Sequence, residues 1–111
     1  MPSPLYDFTW AAVNFTPLRP DHFCRAVGFE EPPDRGRRLR LICDAYELDD
    51  RSTLMGAIET FEREDLRELL ELGHAGVSPH QRYLSRGEDQ HLRWDLDWLV
   101  ANRDGLDRAL R

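Results

Sequence analysis

The chain contains no lysine; all fifteen of its basic residues are arginine. That absence excludes a phosphate-loop lysine, a kinase-type lysine on a strand and a Schiff-base lysine. β-branched residues are scarce, with two Ile, four Val and four Thr among 111 residues. A chain so short of them, and rich in Leu, Ala, Arg and Glu, favours helices over strands. No apolar run approaches the roughly 20 residues of a membrane span, and the N-terminus has no basic stretch followed by an apolar one. A cytoplasmic protein with no membrane partner is therefore expected. Cysteine is confined to Cys24 and Cys43, outside any C-x-x-C motif. Buried free thiols in a reducing compartment are the expectation.

What is present fits one domain, residues 1–111. Leu, Ile, Val and Phe total 27 residues, 16 of them Leu. That is above the roughly 20% below which chains stay disordered. The net charge of −6 repels phosphate backbones, so no nucleic-acid partner is expected.

The pattern predicts an all-α bundle of about six helices. Leu5 to Phe15 is apolar nearly all round and ends at Thr16-Pro17, so it must be covered on more than one side. A short helix follows over Asp21 to Val27. Pro32-Pro33 then introduces a third, running to about Glu47, with Leu39, Ile42, Cys43 and Tyr46 on one face. The longest is expected from about Asp50 to Leu72, with Leu54, Ile58, Phe61, Leu66, Leu69 and Leu72 buried and Gly73 closing it. Glu59 with Arg63, and Arg67 with Glu71, are i,i+4 pairs on its wet side. Ser78-Pro79-His80-Gln81 reads as a capping box for a short helix. The last helix runs from Glu88 with Leu92, Leu96, Leu99, Val100, Leu106 and Leu110 inward.

No pattern gathers catalytic or metal-binding side chains. There is no G-x-S-x-G elbow, H-x-x-x-H or H-E-x-x-H motif. His22 and Cys24 point apart on a helix, and His74, His80 and His91 read as solvated. Asp95 and Asp97 are two residues apart, so their carboxylates diverge, whereas Trp94 and Trp98 share a face and are expected to pack a neighbouring helix. Arg35 to Arg40 (RGRRLR) is the one basic cluster, read as a solvated face paired with nearby Glu and Asp. Neither catalytic, cofactor-binding nor metal residues are assigned.

Two stretches carry a resemblance. Leu5-Tyr6-Asp7-Phe8-Thr9-Trp10-Ala11 is similar to the "YDLAWA" segment of the aminoglycoside phosphotransferase family, and Leu39 to Leu48 looks like the "RLRLFCDAYGL" helix of many members. The Pro17-Leu18 exit and Gly28-Phe29 also fit, and the likeness extends to about Phe61. It implies the C-terminal helical subdomain of a kinase-like enzyme that moves the ATP γ-phosphoryl group to a small-molecule hydroxyl. The family's base and magnesium ligands precede "YDLA" and so would lie upstream of Met1. Tyr6 and Asp7 would be structural motif residues, Asp7 as a hydrogen-bonding group. Thr9 replaces the family's Ala. Glu47 replaces its Gly, which puts the left-handed turn there in question.

The resulting expectation is a truncated or remnant phosphotransferase domain, inactive alone and without a cofactor. It would self-associate or bind a protein through the Leu5–Phe15 helix. The alternative is a stand-alone helical interaction or regulatory module. A third reading, a small enzyme in its own right, predicts phosphorylation of an aminoglycoside by the purified chain.

Overall fold

Backbone is described for residues 4–111 and side chains from Asp7 onward, in a computed structural model. Among the described residues there are six helices and no strand. They are α1 (Pro4–Phe15), α2 (Asp21–Ala26), α3 (Arg35–Ala45), α4 (Leu54–His74), α5 (His80–Ser85) and α6 (Glu88–Leu110).

Two long amphipathic helices, α4 and α6, lie against each other and form the spine. The short α5 folds back on both, α3 packs on α6, and α1 contacts α3 and α4. The main core gathers Phe8, Ala12, Val13, Leu18, Leu39, Cys43, Leu54, Met55, Ile58, Leu99, Leu106 and Leu110. Each large aliphatic side chain fully withdrawn from water there is worth about 1.5–3 kcal/mol. Both thiols are free and buried, and burial pushes the Cys43 thiol up from its ordinary value.

The helix starts and stops follow local chemistry. Asp34 caps α3 by accepting from the Arg37 N–H at 3.1 Å. The long helix begins at Leu54 rather than at Asp50. The Asp50 carboxylate instead accepts from the Ser52 N–H and hydroxyl at 3.0 and 2.7 Å, which holds a turn before the helix. Gly73 does not close α4 but lies in its last turn, buried. The stop is Gly76, at φ 79°, with the Val77 N–H donating to the Leu72 carbonyl at 2.9 Å. The expected Ser78 cap does not form; Pro79 occupies the N-cap of α5 with no side-chain bond. Glu47 keeps the left-handed turn after α3 at φ 57°, and the Leu48 N–H closes it on the Cys43 carbonyl at 2.9 Å. A non-glycine residue there costs about 1 kcal/mol.

Helix α1 is covered on most sides, with Phe8, Thr9, Ala11, Ala12 and Val13 buried. Trp10 (49% exposed) and Phe15 (59%) remain outside and meet edge to face at 5.7 Å. Two expected inward residues face outward: Val100, 49% exposed, and Tyr46, whose ring meets Phe8 edge-on at 5.2 Å. Both predicted i,i+4 pairs form, Arg63–Glu59 at 3.0 Å and Arg67–Glu71 at 3.4 Å.

The RGRRLR stretch stays largely at the surface, with Arg37 and Arg40 exposed, but its arginines pair mostly with carbonyls and not with Glu and Asp. Arg35 donates to the Arg19 carbonyl at 2.7 Å and the Pro17 carbonyl at 3.4 Å, pairs with Asp21 at 2.8 Å and lies over the Trp98 ring. Arg38 donates twice to the Phe15 carbonyl, at 2.9 and 3.2 Å, and Arg40 to that of Ala109 at 2.9 Å. Helix-end carbonyls lack intrahelical partners and carry partial negative charge. Arg38 and Arg40 satisfy such helix-end carbonyls and Arg35 those of the loop before α2; among the described residues only Arg35 of this stretch pairs with a carboxylate.

Candidate functional cleft

A cleft of about 460 Å³ opens where the Arg19–Pro20 corner and α2 meet α4, α5 and α6. Each wall follows from a helix register. On α6, Glu88, His91, Leu92, Trp94 and Asp95 recur at spacings of three and four and therefore share a side. On α4, Asp65 and Leu69 are four apart, and on α5, His80 and Tyr83 are three apart. Helix α2 adds His22 and Phe23.

The floor carries charge that the core would normally reject. Asp95 is 7% exposed, and its Oδ2 lies 3.5 Å from Arg19 Nε. Arg19 also donates to the Asn14 side-chain oxygen at 3.2 Å and sits 4.5 Å above the Phe23 ring. Its Nε is buried and makes no hydrogen bond, so the link to Asp95 is an ion pair without one. Behind the lining, Glu62 on α4 is also 7% exposed, and neither of its carboxyl oxygens has a partner.

An ionised carboxylate is costly where water is excluded. Burial, with the neighbouring Asp95 charge adding to it, pushes Glu62 up to about 8, against a partial pull from Arg19. Burial pushes Asp95 up to about 6, while Arg19, His91 and His22 draw it down. Both settings favour the neutral carboxyl, that of Glu62 the more strongly.

The aromatic wall is centred on Trp94, 42% exposed. His22 meets its ring edge to face at 5.4 Å and His91 does so at 5.5 Å. Across the cleft, His80 Nε2 lies 3.7 Å from Glu68, while its Nδ1 and the Glu88 Oε2 are buried without partners.

The sequence separated these residues. Asp95 and Asp97 do diverge: the first is buried and the second exposed. His22 is exposed and Cys24 buried, as expected for residues that point apart. His22, His80 and His91, which appear scattered along the chain, border one cavity. Trp94 and Trp98 part company, since Trp98 packs on the core and Trp94 faces the cleft. Glu62 carries no motif. Its only signal is a Glu on the apolar side of α4, one turn beyond Ile58 and one turn before Leu66.

Asp7 is exposed in the first turns of α1, and Tyr6 lies outside the residues whose side chains are described. Among the described residues no group of three or more His, Cys, Asp or Glu is arranged to hold a metal ion. No described helix is long and apolar enough to cross a membrane. Comparison with family models, with curated proteins and with solved structures gave no match to this chain.

Proposed function

We propose that the chain is a ligand-holding helical domain of the kind that completes an aminoglycoside phosphotransferase-like enzyme, and that it performs no phosphoryl transfer alone. The family reading comes from the sequence resemblance. The observation that carries the chemical part is the state of the converging carboxyls. Glu62 is buried with both oxygens unpartnered, a setting that favours its neutral form, and Asp95 faces Arg19 as an ion pair. A magnesium–nucleotide site needs ionised oxygens free to ligate, and this pair does not supply them.

The cleft suits a small organic ligand instead. Its volume of about 460 Å³ lies within the range of roughly 300–1,000 Å³ usual for such sites. Asp65, Glu88 and Asp95 outnumber the single guanidinium of Arg19, and the Trp94 and Tyr83 rings line the same space. Carboxylates beside aromatic faces favour an ammonium-bearing molecule. The test is calorimetric titration with kanamycin alongside an assay of ATP consumption with magnesium. Binding without turnover is expected; absence of binding, or ATP-dependent phosphorylation of the antibiotic, would overturn the reading.

A second reading, a protein-interaction module, is favoured by the Trp10–Phe15 pair. Phe15 lines a groove of about 610 Å³ together with Phe29, Leu41 and Ile42, and Trp10 meets Phe15 edge to face. Through that face the chain would meet a second copy or a protein partner.

A further inference from the structure

We propose that the Arg19–Asp95–Glu62 cluster couples entry of an organic cation into the cleft to release of a proton, so that the site holds its cation more tightly as pH rises. The coupling rests on the ammonium reading of the cleft given above.

The argument is one of charge balance in a confined space. Two carboxyls lie within electrostatic reach of one guanidinium, and both residues are only 7% exposed. Arg19 donates to Asn14 and faces Asp95 as an ion pair without a hydrogen bond, and both Glu62 oxygens lack any donor. One positive charge cannot neutralise two carboxylates, so a proton supplies the second. Asp95 forms part of the cleft lining, and Glu62 lies within electrostatic reach of it and of Arg19. An ammonium group seated against Asp95 brings a further positive charge. The proton is then surplus: it leaves the Glu62 carboxyl for solvent, and the carboxylate left behind keeps the cluster balanced. No covalent bond other than that O–H is broken.

The surroundings limit where this effect can be read. Glu59 and Asp65 act on Glu62 from its own helix, His91 and His22 act on Asp95, and His80 borders the cleft from α5. The one charged residue of α1, Asp7, is exposed. Imidazoles as a class titrate near pH ~6.5, so the effect is measured from pH 7 to pH 9.

The probe is hexamethonium, whose quaternary nitrogens carry fixed charge and cannot themselves exchange protons. Titrating the full chain in two buffers of different ionisation heat counts the protons released on binding. Affinity is expected to rise about tenfold from pH 7 to pH 9, with proton release largest at pH 7. Glu62→Gln, an isosteric change to a permanently neutral group, should abolish both the release and the pH dependence. Binding without proton release, or release that survives in E62Q, overturns the coupling while leaving the cleft reading intact. No heat with hexamethonium at any pH overturns the coupling, and no heat with kanamycin as well removes the cleft reading beneath it. Independently of any ligand, the ¹³C signal of the Glu62 carboxyl should titrate well above the ordinary glutamate range; a midpoint within that range refutes the stored proton.

Discussion

At the residue scale, Glu62 sets the chain's response to pH. Its folded carboxyl is held near 8, above the ordinary 4.5. Between those values the folded state binds the proton more tightly than the unfolded chain does. Stability from this group is therefore full below about pH 4.5 and is lost as pH rises toward 8. Asp95 adds a smaller loss of the same sign, ending near 6. Glu59 opposes both: hydrogen bonding from Arg63, then from Arg103, lowers its carboxyl, so its contribution is lost only in acid. A tenfold difference in proton affinity between the folded and unfolded chain corresponds to about 1.4 kcal/mol. Urea unfolding of Glu62→Gln should show little change at pH 5 and a gain of about 3 kcal/mol at pH 8. Equal stability of the two proteins at pH 8 would mean that Glu62 is hydrated. The sequence concealed this group because isolated charges at helical spacing usually mark a wet face. Only the approach of α6 and of the Arg19 corner makes that part of α4 dry.

At the element scale, most of the fold was legible, because period and punctuation act locally. The Leu spacings in α4 and α6, the prolines before α3 and the turn at Gly87 all mark observed boundaries. The misplacements were at positions where tertiary contact decides. Gly73 looks like a helix stop, yet it lies inside α4, where a Cβ would come within 2.8 Å of Leu84 Cδ2 and 3.2 Å of the His80 carbonyl. It is small so that α5 can approach. Gly73→Ala gains about 1 kcal/mol of helix propensity and forces a crowded contact costing about 1–3 kcal/mol. The expected net result is a loss of up to about 2 kcal/mol, read as a lower denaturant midpoint at unchanged slope. Because α5 carries His80 and Tyr83, ligand binding in the cleft should weaken as well. The arginines of α3 were misjudged for a related reason: their acceptors are carbonyls at the ends of other segments, and no sequence pattern marks these.

At the scale of the whole molecule, the question is what meets the exposed end of α1. The chain is acidic overall, yet Arg37 and Arg38 outnumber Asp34 in the groove that Phe15 lines. A basic, apolar groove on an acidic molecule suits the acidic surface of a second copy. Sedimentation velocity across a concentration series should show reversible association, and Trp10→Ser with Phe15→Ser should raise the concentration required by tenfold or more. A chain that stays monomeric throughout would leave the interaction reading without support. This patch was partly legible, since a helix apolar all round demands cover. Which two of its side chains would be left over was not, because that depends on the positions of α3 and α4.

The molecule measures 43 × 35 × 21 Å along its principal axes. Its thin dimension is about two helix diameters. In so shallow a body a buried carboxyl lies close to bulk water. Protons can thus be exchanged through small side-chain excursions while the helices stay assembled, and the interior can equilibrate with the solvent's acidity far faster than the fold comes apart.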